Sequence, residues 1–171
     1  RKKQLIHTII THAAKHIKMS ETYKWLIKLH TEHGNDIGVL APLFLNLVCL
    51  KPGEALFLSS GQLHAYLNVM CIELMANSDN VVRCGLTSKH VDVPELLQIV
   101  DFEEKDMTFL KPDQTRSIEI RYPCDAREFI LSQINLMPES PYKSMQNRSV
   151  EILICIDGSA TIENRDVKKR I

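Results

Sequence analysis

Residues 61–90 read GQLHAYLNVMCIELMANSDNVVRCGLTSKH. His64, Tyr66, Glu73, Asp79, Arg83 and Lys89 interrupt short apolar runs here. Buried charge is costly unless it is paired or used, so a plain packed core would carry few of these residues. His64 and Tyr66 are two positions apart, and in a strand both side chains would face the same side of a sheet. A lone inward histidine is more often a hydrogen-bonded core residue than a ligand. Gln62 and His64 form a Q-x-H pair that could offer an amide oxygen and an imidazole to one metal, which is weak evidence alone. Arg83, between Val82 and Cys84, has two readings. Spacing slightly favours a salt bridge with Asp79 or Glu73; the alternative is a guanidinium aimed at an anionic centre and charged at any relevant pH. Lys89 and His90 read as surface residues, and Asp79-Asn80 as a turn.

Outward from this stretch the texture is first strand-like, then helical. LFLNLVCL (43–50) and EALFLSS (54–60) are short apolar runs split by KPG, which supplies Pro and Gly for a tight reversal. LHAYL, CIELM and NVVRCGL read as further short strands. Towards the N-terminus, Leu5, Ile6, Ile9, Ile10, Ala13 and Ile17 have helical spacing and predict a helix over 3–18 with one buried face. Ser20 suits the N-cap of a second helix, ETYKWLIKLH, ending at Gly34. Beyond the stretch, Asp92 and Glu95 form a D-x-x-E capping box leading into PELLQIV. EEKDMTFLKPDQTRS (103–117) reads as a polar connector. EFILSQINLM and VEILICI-DG-SATIE read as strands, the second as a hairpin with a type I′ turn at Asp157-Gly158. Helices first and strands afterwards predict an α+β protein, mainly β, with most strands antiparallel. Two β units separated near the connector fit better than one large sheet.

Composition sets the outer bounds. The 171 residues suit one ordinary domain or two small ones, and 44% hydrophobic with 25% charged residues is the balance of a globular chain. Lys plus Arg equals Asp plus Glu at 21 each, so no net field draws nucleic acid or anionic membrane. No apolar run approaches a membrane span, and no signal-peptide pattern opens the chain. The five cysteines (Cys49, Cys71, Cys84, Cys124, Cys155) form no C-x-x-C pair and are odd in number, which fits a reduced, cytoplasmic setting. The chain starts without Met, and ENRDVKKRI stops where a strand is starting, so we expect a piece of something longer.

The remaining histidines carry little. His12 and His16 lie one helical turn apart, but on the solvated face and without the glutamate of an HExxH motif, so ordinary surface histidines are the better reading. His30 and His33 sit near a helix end, where positive charge is favourable. His7 has no partner in sight.

Three segments, LNLVCLKPGEALFL, HAYL and ELMANSDNVVRCGLTSKHVDVPELL, closely resemble type I phosphomannose isomerases, densely over about residues 39–102. The resemblance implies three regions: 1–38 as the end of an inserted helical domain, 39–102 as a cupin-like catalytic β segment with a short helix, and 103–171 as the start of a C-terminal cupin-like β domain. The implied fold is antiparallel jelly-roll. The implied reaction interconverts mannose 6-phosphate and fructose 6-phosphate with one bound zinc, in a cytoplasmic monomer that engages neither nucleic acid nor membrane. In that family a Gln and a His of one Q-x-H motif, a Glu, and the HAYL histidine hold the zinc; only the last is matched here, by His64. The family's catalytic arginine falls on Arg83, and Tyr66, Asp79 and Lys89 match positions lining its pocket. Gln62 belongs to the HAYL segment and takes no ligand role. Leu63, Val69 and Ser88 depart from the family's usual Pro, Gly and Pro, altering loop geometry beside the site.

The implied chemistry accounts for the polar residues of the opening stretch. Aldose–ketose isomerisation passes through an enediolate whose negative charge must be stabilised. Zinc polarises sugar oxygens as a Lewis acid, a neutral imidazole is a good zinc ligand, and Arg83 can stabilise charge developing in the transition state. Lys89 could meet the phosphate. A non-catalytic cupin-like module that binds a sugar phosphate is the rival reading. A purely structural β domain explains the strands but not the polar cluster.

Overall fold

The structure, a computed structural model, describes residues 1–78, 81–107, 109–110, 112, 118–144, 149–163 and the backbone of 168–170. It divides into two compact units, Arg1–Ile134 and Asn135–Ile171.

The first unit is built on a helical layer. α1 (Lys2–Lys15) and α2 (Glu21–His33) pack on each other and on a 3-10 helix, Ile37–Leu43. The core is Ile6 and Ala13 of α1, Leu26 and Leu29 of α2, and Val39 and Leu40 of the 3-10 helix. Ile6 and Ala13 are two helical turns apart, so both fall on the buried stripe. The predicted face is narrower than expected, because Leu5 and Ile17 are exposed. α1 stops at Lys15, His16 caps it, and Ile17–Met19 turns as a 3-10 segment that carries Ile17 off the stripe. Fully burying Ile6, Leu26 and Val39 contributes about 1.5–3 kcal/mol each.

Local signals set the helix ends. The Ser20 hydroxyl accepts from the Thr22 N–H at 3.1 Å, as an N-cap must to satisfy an orphan donor. Gly34, at φ 61°, ends α2, its N–H donating to the His30 carbonyl at 2.8 Å. His30 and His33 lie in the last turn, where they complement the helix dipole. The Asp36 carboxylate accepts from the Gly38 N–H at 2.7 Å and opens the 3-10 helix.

The strands are shorter than the sequence predicts. β1 (Ala55–Leu56) pairs antiparallel with β2 (Phe109–Leu110), so the supposed connector itself contains a strand. α3 (Val93–Ile99) lies between them, capped by the Asp92 carboxylate accepting from the Glu95 N–H at 3.1 Å. β3 (Glu119–Tyr122) pairs antiparallel with β4 (Leu131–Ile134), which lies inside the predicted 128–137 run. Residues 44–50, LHAYL and CIELM form no strand among the described residues. LFLNLVCL begins in the 3-10 helix and continues unpaired, with Leu45, Leu47 and Val48 exposed. A strand needs a pairing partner as well as suitable side chains, and no described strand pairs with these runs. Helices and a few antiparallel strands are therefore present, with no closed barrel among the described residues.

The KPG turn forms as predicted. The Glu54 N–H donates to the Lys51 carbonyl at 2.9 Å, and Gly53 takes φ 83°, the left-handed position of a type II turn. The hydroxyl of the buried Tyr122 lies 3.0 Å from the Gly53 carbonyl and 3.1 Å from Gln133 Oε1, tying this turn to the β3–β4 pair.

In the second unit β5 (Thr161–Glu163) pairs antiparallel with β6 (Lys168–Arg170). This replaces the expected hairpin of 150–156 with 159–163. A type I′ turn needs φ above zero at both central residues, and of Asp157-Gly158 only Gly158 has it, at 73°.

Candidate active site

Two irregular segments carry the predicted site residues, and the helical layer holds both. Leu67, directly after Tyr66, and Leu86, three residues after Arg83, pack against the core of α1, α2 and the 3-10 helix. One apolar anchor per segment thus fixes polar neighbours that contribute nothing to the core.

A glycine contact seats the first segment at its other end. Gly61, at φ 81°, lies so close to the end of α3 that a Cβ would meet the Ile99 carbonyl at 2.7 Å. The Asp101 N–H donates to the Gly61 carbonyl at 2.9 Å. Gln62 folds back, its Oε1 accepting from the Ser59 N–H at 3.0 Å. The amide oxygen a metal would need is therefore engaged with backbone.

His64 is exposed, and its Nδ1 lies 3.0 Å from the Gln62 carbonyl. With the proton on Nδ1 donated to that carbonyl, Nε2 keeps its lone pair for a metal, the arrangement in which a backbone carbonyl orients a ligating imidazole. The Tyr66 ring meets His64 edge-on, with centroids 5.9 Å apart. The Tyr66 phenol is pushed up to about 12, first by partial desolvation, then by a hydrogen bond to Glu73 and the nearby Glu73 charge. Glu73, which spacing offered to Arg83, is thus engaged with Tyr66. Both residues lie in irregular backbone, where strand alternation could not have pointed to the pairing.

The raised value makes a direct expectation. At neutral pH Tyr66 keeps its proton. A phenol whose folded pKa exceeds the ordinary 10.0 adds stability that is whole below pH 10.0 and is lost as pH climbs through about 12. The phenolate absorbance lost in Tyr66→Phe should therefore develop late in an alkaline titration. Glu73→Gln should bring it earlier without restoring 10.0, since desolvation remains. A Tyr66 that titrates identically with and without Glu73 would refute this pairing.

Arg83 and Lys89 are exposed. Among the described residues Arg83 makes no ion pair with Glu73, and no hydrogen bond, ion pair or ring contact joins Arg83 or Lys89 to His64 or Tyr66. The backbone N–H of Lys89 donates to Thr87 Oγ1 at 3.1 Å, shaping the turn after Arg83. Asp79, with the expected Asp79-Asn80 turn, lies outside the described residues. The structure thus brings His64 and Tyr66 together and carries Arg83 and Lys89 on a separate segment anchored to the same core.

Among the described residues no group of three or more His, Cys, Asp or Glu could hold a metal ion. A protein zinc site needs three or four such ligands, so the described residues do not make one; His64 can offer a single donor. All five cysteines are free. No described helix is long and apolar enough to cross a membrane.

No protein-family model matches the chain, and no solved structure matches it. Curated proteins do. The chain is 41% identical over 138 residues, 80% of its length, to the mannose-6-phosphate isomerase of Escherichia coli strain K12. It is 38% identical over 151 residues, 84% of its length, to that of Mus musculus, and 44% identical over 122 residues, 69% of its length, to that of Homo sapiens. These alignments cover 35%, 35% and 28% of the three relatives, so the chain spans about a third of their length.

Proposed function

We propose that this chain, homologous over most of its length to mannose-6-phosphate isomerases, supplies part of the active site of an enzyme interconverting mannose 6-phosphate and fructose 6-phosphate. The observation that carries the reading is the identity of 38–44% with curated isomerases from bacterium and mammal, extending over 69–84% of the chain.

In this reading Arg83 is the catalytic cation. Its guanidinium is exposed and not tied to Glu73, so it is available to an enediolate oxygen, where a preorganised donor lowers the barrier. Lys89, on the same segment, meets the phosphate as a point charge. Tyr66 keeps its proton at neutral pH and its half-exposed ring forms a wall beside His64. Asp79 is proposed as a further substrate-binding residue from the match of its motif alone.

His64 supplies one zinc ligand through Nε2, and the other ligands come from outside this chain. When bound, zinc would provide Lewis-acid polarisation of sugar oxygens. The full fold is proposed as cupin-like jelly-roll domains, with a helical segment over 1–38, a catalytic β segment over 39–102 and a further β domain over 103–171. The exposed apolar side chains of Phe44, Leu45, Leu47 and Val48 and of Val69, Met70 and Ile72 support segments that await a covering partner. Free cysteines support a reduced, cytoplasmic setting, and equal numbers of acidic and basic residues support the absence of nucleic-acid and membrane partners; a monomer is proposed from the family resemblance alone.

The test compares two proteins. One carries this chain within the full length of its relatives and should convert mannose 6-phosphate to fructose 6-phosphate with one zinc per molecule. The other is the 171-residue chain itself, which should retain no stoichiometric zinc after dialysis and show no turnover. Sugar-phosphate binding without turnover in the longer protein would favour a binding module instead. One zinc retained at His64 in the short chain would refute the ligand count.

A further inference from the structure

The segment bearing Arg83 touches the helical layer at a point that admits no side chain. A Cβ on Gly38 would lie 2.9 Å from Leu86 Cγ and 3.2 Å from the Leu86 backbone nitrogen. A Cβ on Gly85 would lie 3.0 Å from Asp36 Oδ1 and 3.4 Å from Gly38 Cα. Asp36 Oδ1 is itself fixed, since it accepts the Gly38 N–H at 2.7 Å. Directly beyond the contact, Leu86 has φ 53°, a left-handed conformation that a bulky side chain adopts only under constraint. Such backbone costs about 1–3 kcal/mol and persists where surrounding packing over-determines it. The packing here is the helical core, against which Leu86 is seated.

We propose that Gly38, on the first turn of the 3-10 helix, is a positioning residue for Arg83, acting through a glycine-on-glycine contact with Gly85 and the strained, core-seated Leu86. The helical layer thereby sets where the guanidinium stands. The catalytic consequence rests on the reading of Arg83 given above; the mechanical link does not. Two residues separate Arg83 from Leu86, so a retreat of the Leu86 backbone by a few tenths of an ångström passes directly to Arg83. Misplacement of a catalytic group on the ångström scale can cost about 100-fold in rate.

The experiment uses the protein of full family length with Gly38→Ala, and Leu86→Gly as a second variant that accepts the left-handed backbone but lacks the core anchor. Mannose 6-phosphate turnover, thermal melting and amide hydrogen exchange over residues 83–89 are measured together. Both variants should lose about 10- to 100-fold in kcat with KM within about twofold. Both should exchange the Lys89 amide, which donates to Thr87 Oγ1, about tenfold faster or more. Ala14→Gly, at an exposed position of α1, should lower the melting temperature while leaving kcat and that exchange unchanged. Wild-type kcat and exchange in Gly38→Ala and Leu86→Gly would overturn the proposal, as would an equal kcat loss in Ala14→Gly. If the unsubstituted protein shows no isomerase turnover, the functional reading falls, and exchange over 83–89 alone decides the link.

Discussion

Arg83→Lys, in a protein of full family length, should lower kcat by on the order of 100- to 1000-fold, the loss expected for one preorganised electrostatic donor. Lysine keeps the charge but not the planar fork, so it cannot present two N–H groups to adjacent oxygens. If the contact tightens as the enediolate forms, kcat should fall more than KM rises. The structure sharpens the control. Arg83 is exposed, and an exposed ion pair is worth about 1 kcal/mol at most, so a substitution that keeps the charge should leave the melting curve close to wild type. A purely structural arginine predicts the opposite pattern, a lower melting temperature and normal turnover. A folded Arg83→Lys enzyme with wild-type kcat would end the catalytic assignment.

His64→Ala should strip the metal from the same protein and remove most activity. A ligand's loss should weaken zinc by on the order of 100-fold or more, since even losing a group that merely orients a ligand costs about 10- to 100-fold. Fold should survive, for a local reason. His64 is exposed and, among the described residues, hydrogen-bonds to the carbonyl two residues back and meets the Tyr66 ring, while the adjacent core contact belongs to Leu67. Bound zinc per molecule, read by elemental analysis beside the melting curve, separates the ligand role from packing. Retention of a full zinc complement in the variant would show that His64 is no ligand.

The parts of the fold legible in the sequence are those whose causes lie within a few residues. The Ser20 cap, the Gly34 stop, the Asp92 cap before α3 and the KPG turn each depend on neighbours within one helical turn. The strands were less legible because a strand's partner lies elsewhere. Ala55–Leu56 finds Phe109–Leu110 inside a stretch that composition marks as a connector, whereas the more apolar 44–50 finds nothing among the described residues. The Asp157-Gly158 signal was real for a bend but silent on which strands pair. At the candidate site, residue types and a family resemblance pointed to His64, Tyr66, Arg83 and Lys89. Sequence spacing could not show that Glu73 serves Tyr66, or that Gly38 and Gly85 meet. The available signal for the latter was two glycines outside any predicted turn.

The Tyr122 hydroxyl reaches back 69 residues to the Gly53 carbonyl, and the loop it closes contains His64, Tyr66, Arg83 and Lys89. Polymer statistics make such a loop permissive in length. Its closure entropy grows only as the logarithm of its size, so ten inserted residues would cost about 0.1 kcal/mol. Length between the two ends is therefore thermodynamically soft, and the spatial relation of the polar residues depends on Leu67 and Leu86 seated in one core. Insertions between those two leucines and clear of Arg83 would leave both segments in place, whereas displacing either leucine would leave its polar neighbours to the weaker backbone contacts at Gly61 and Gly85.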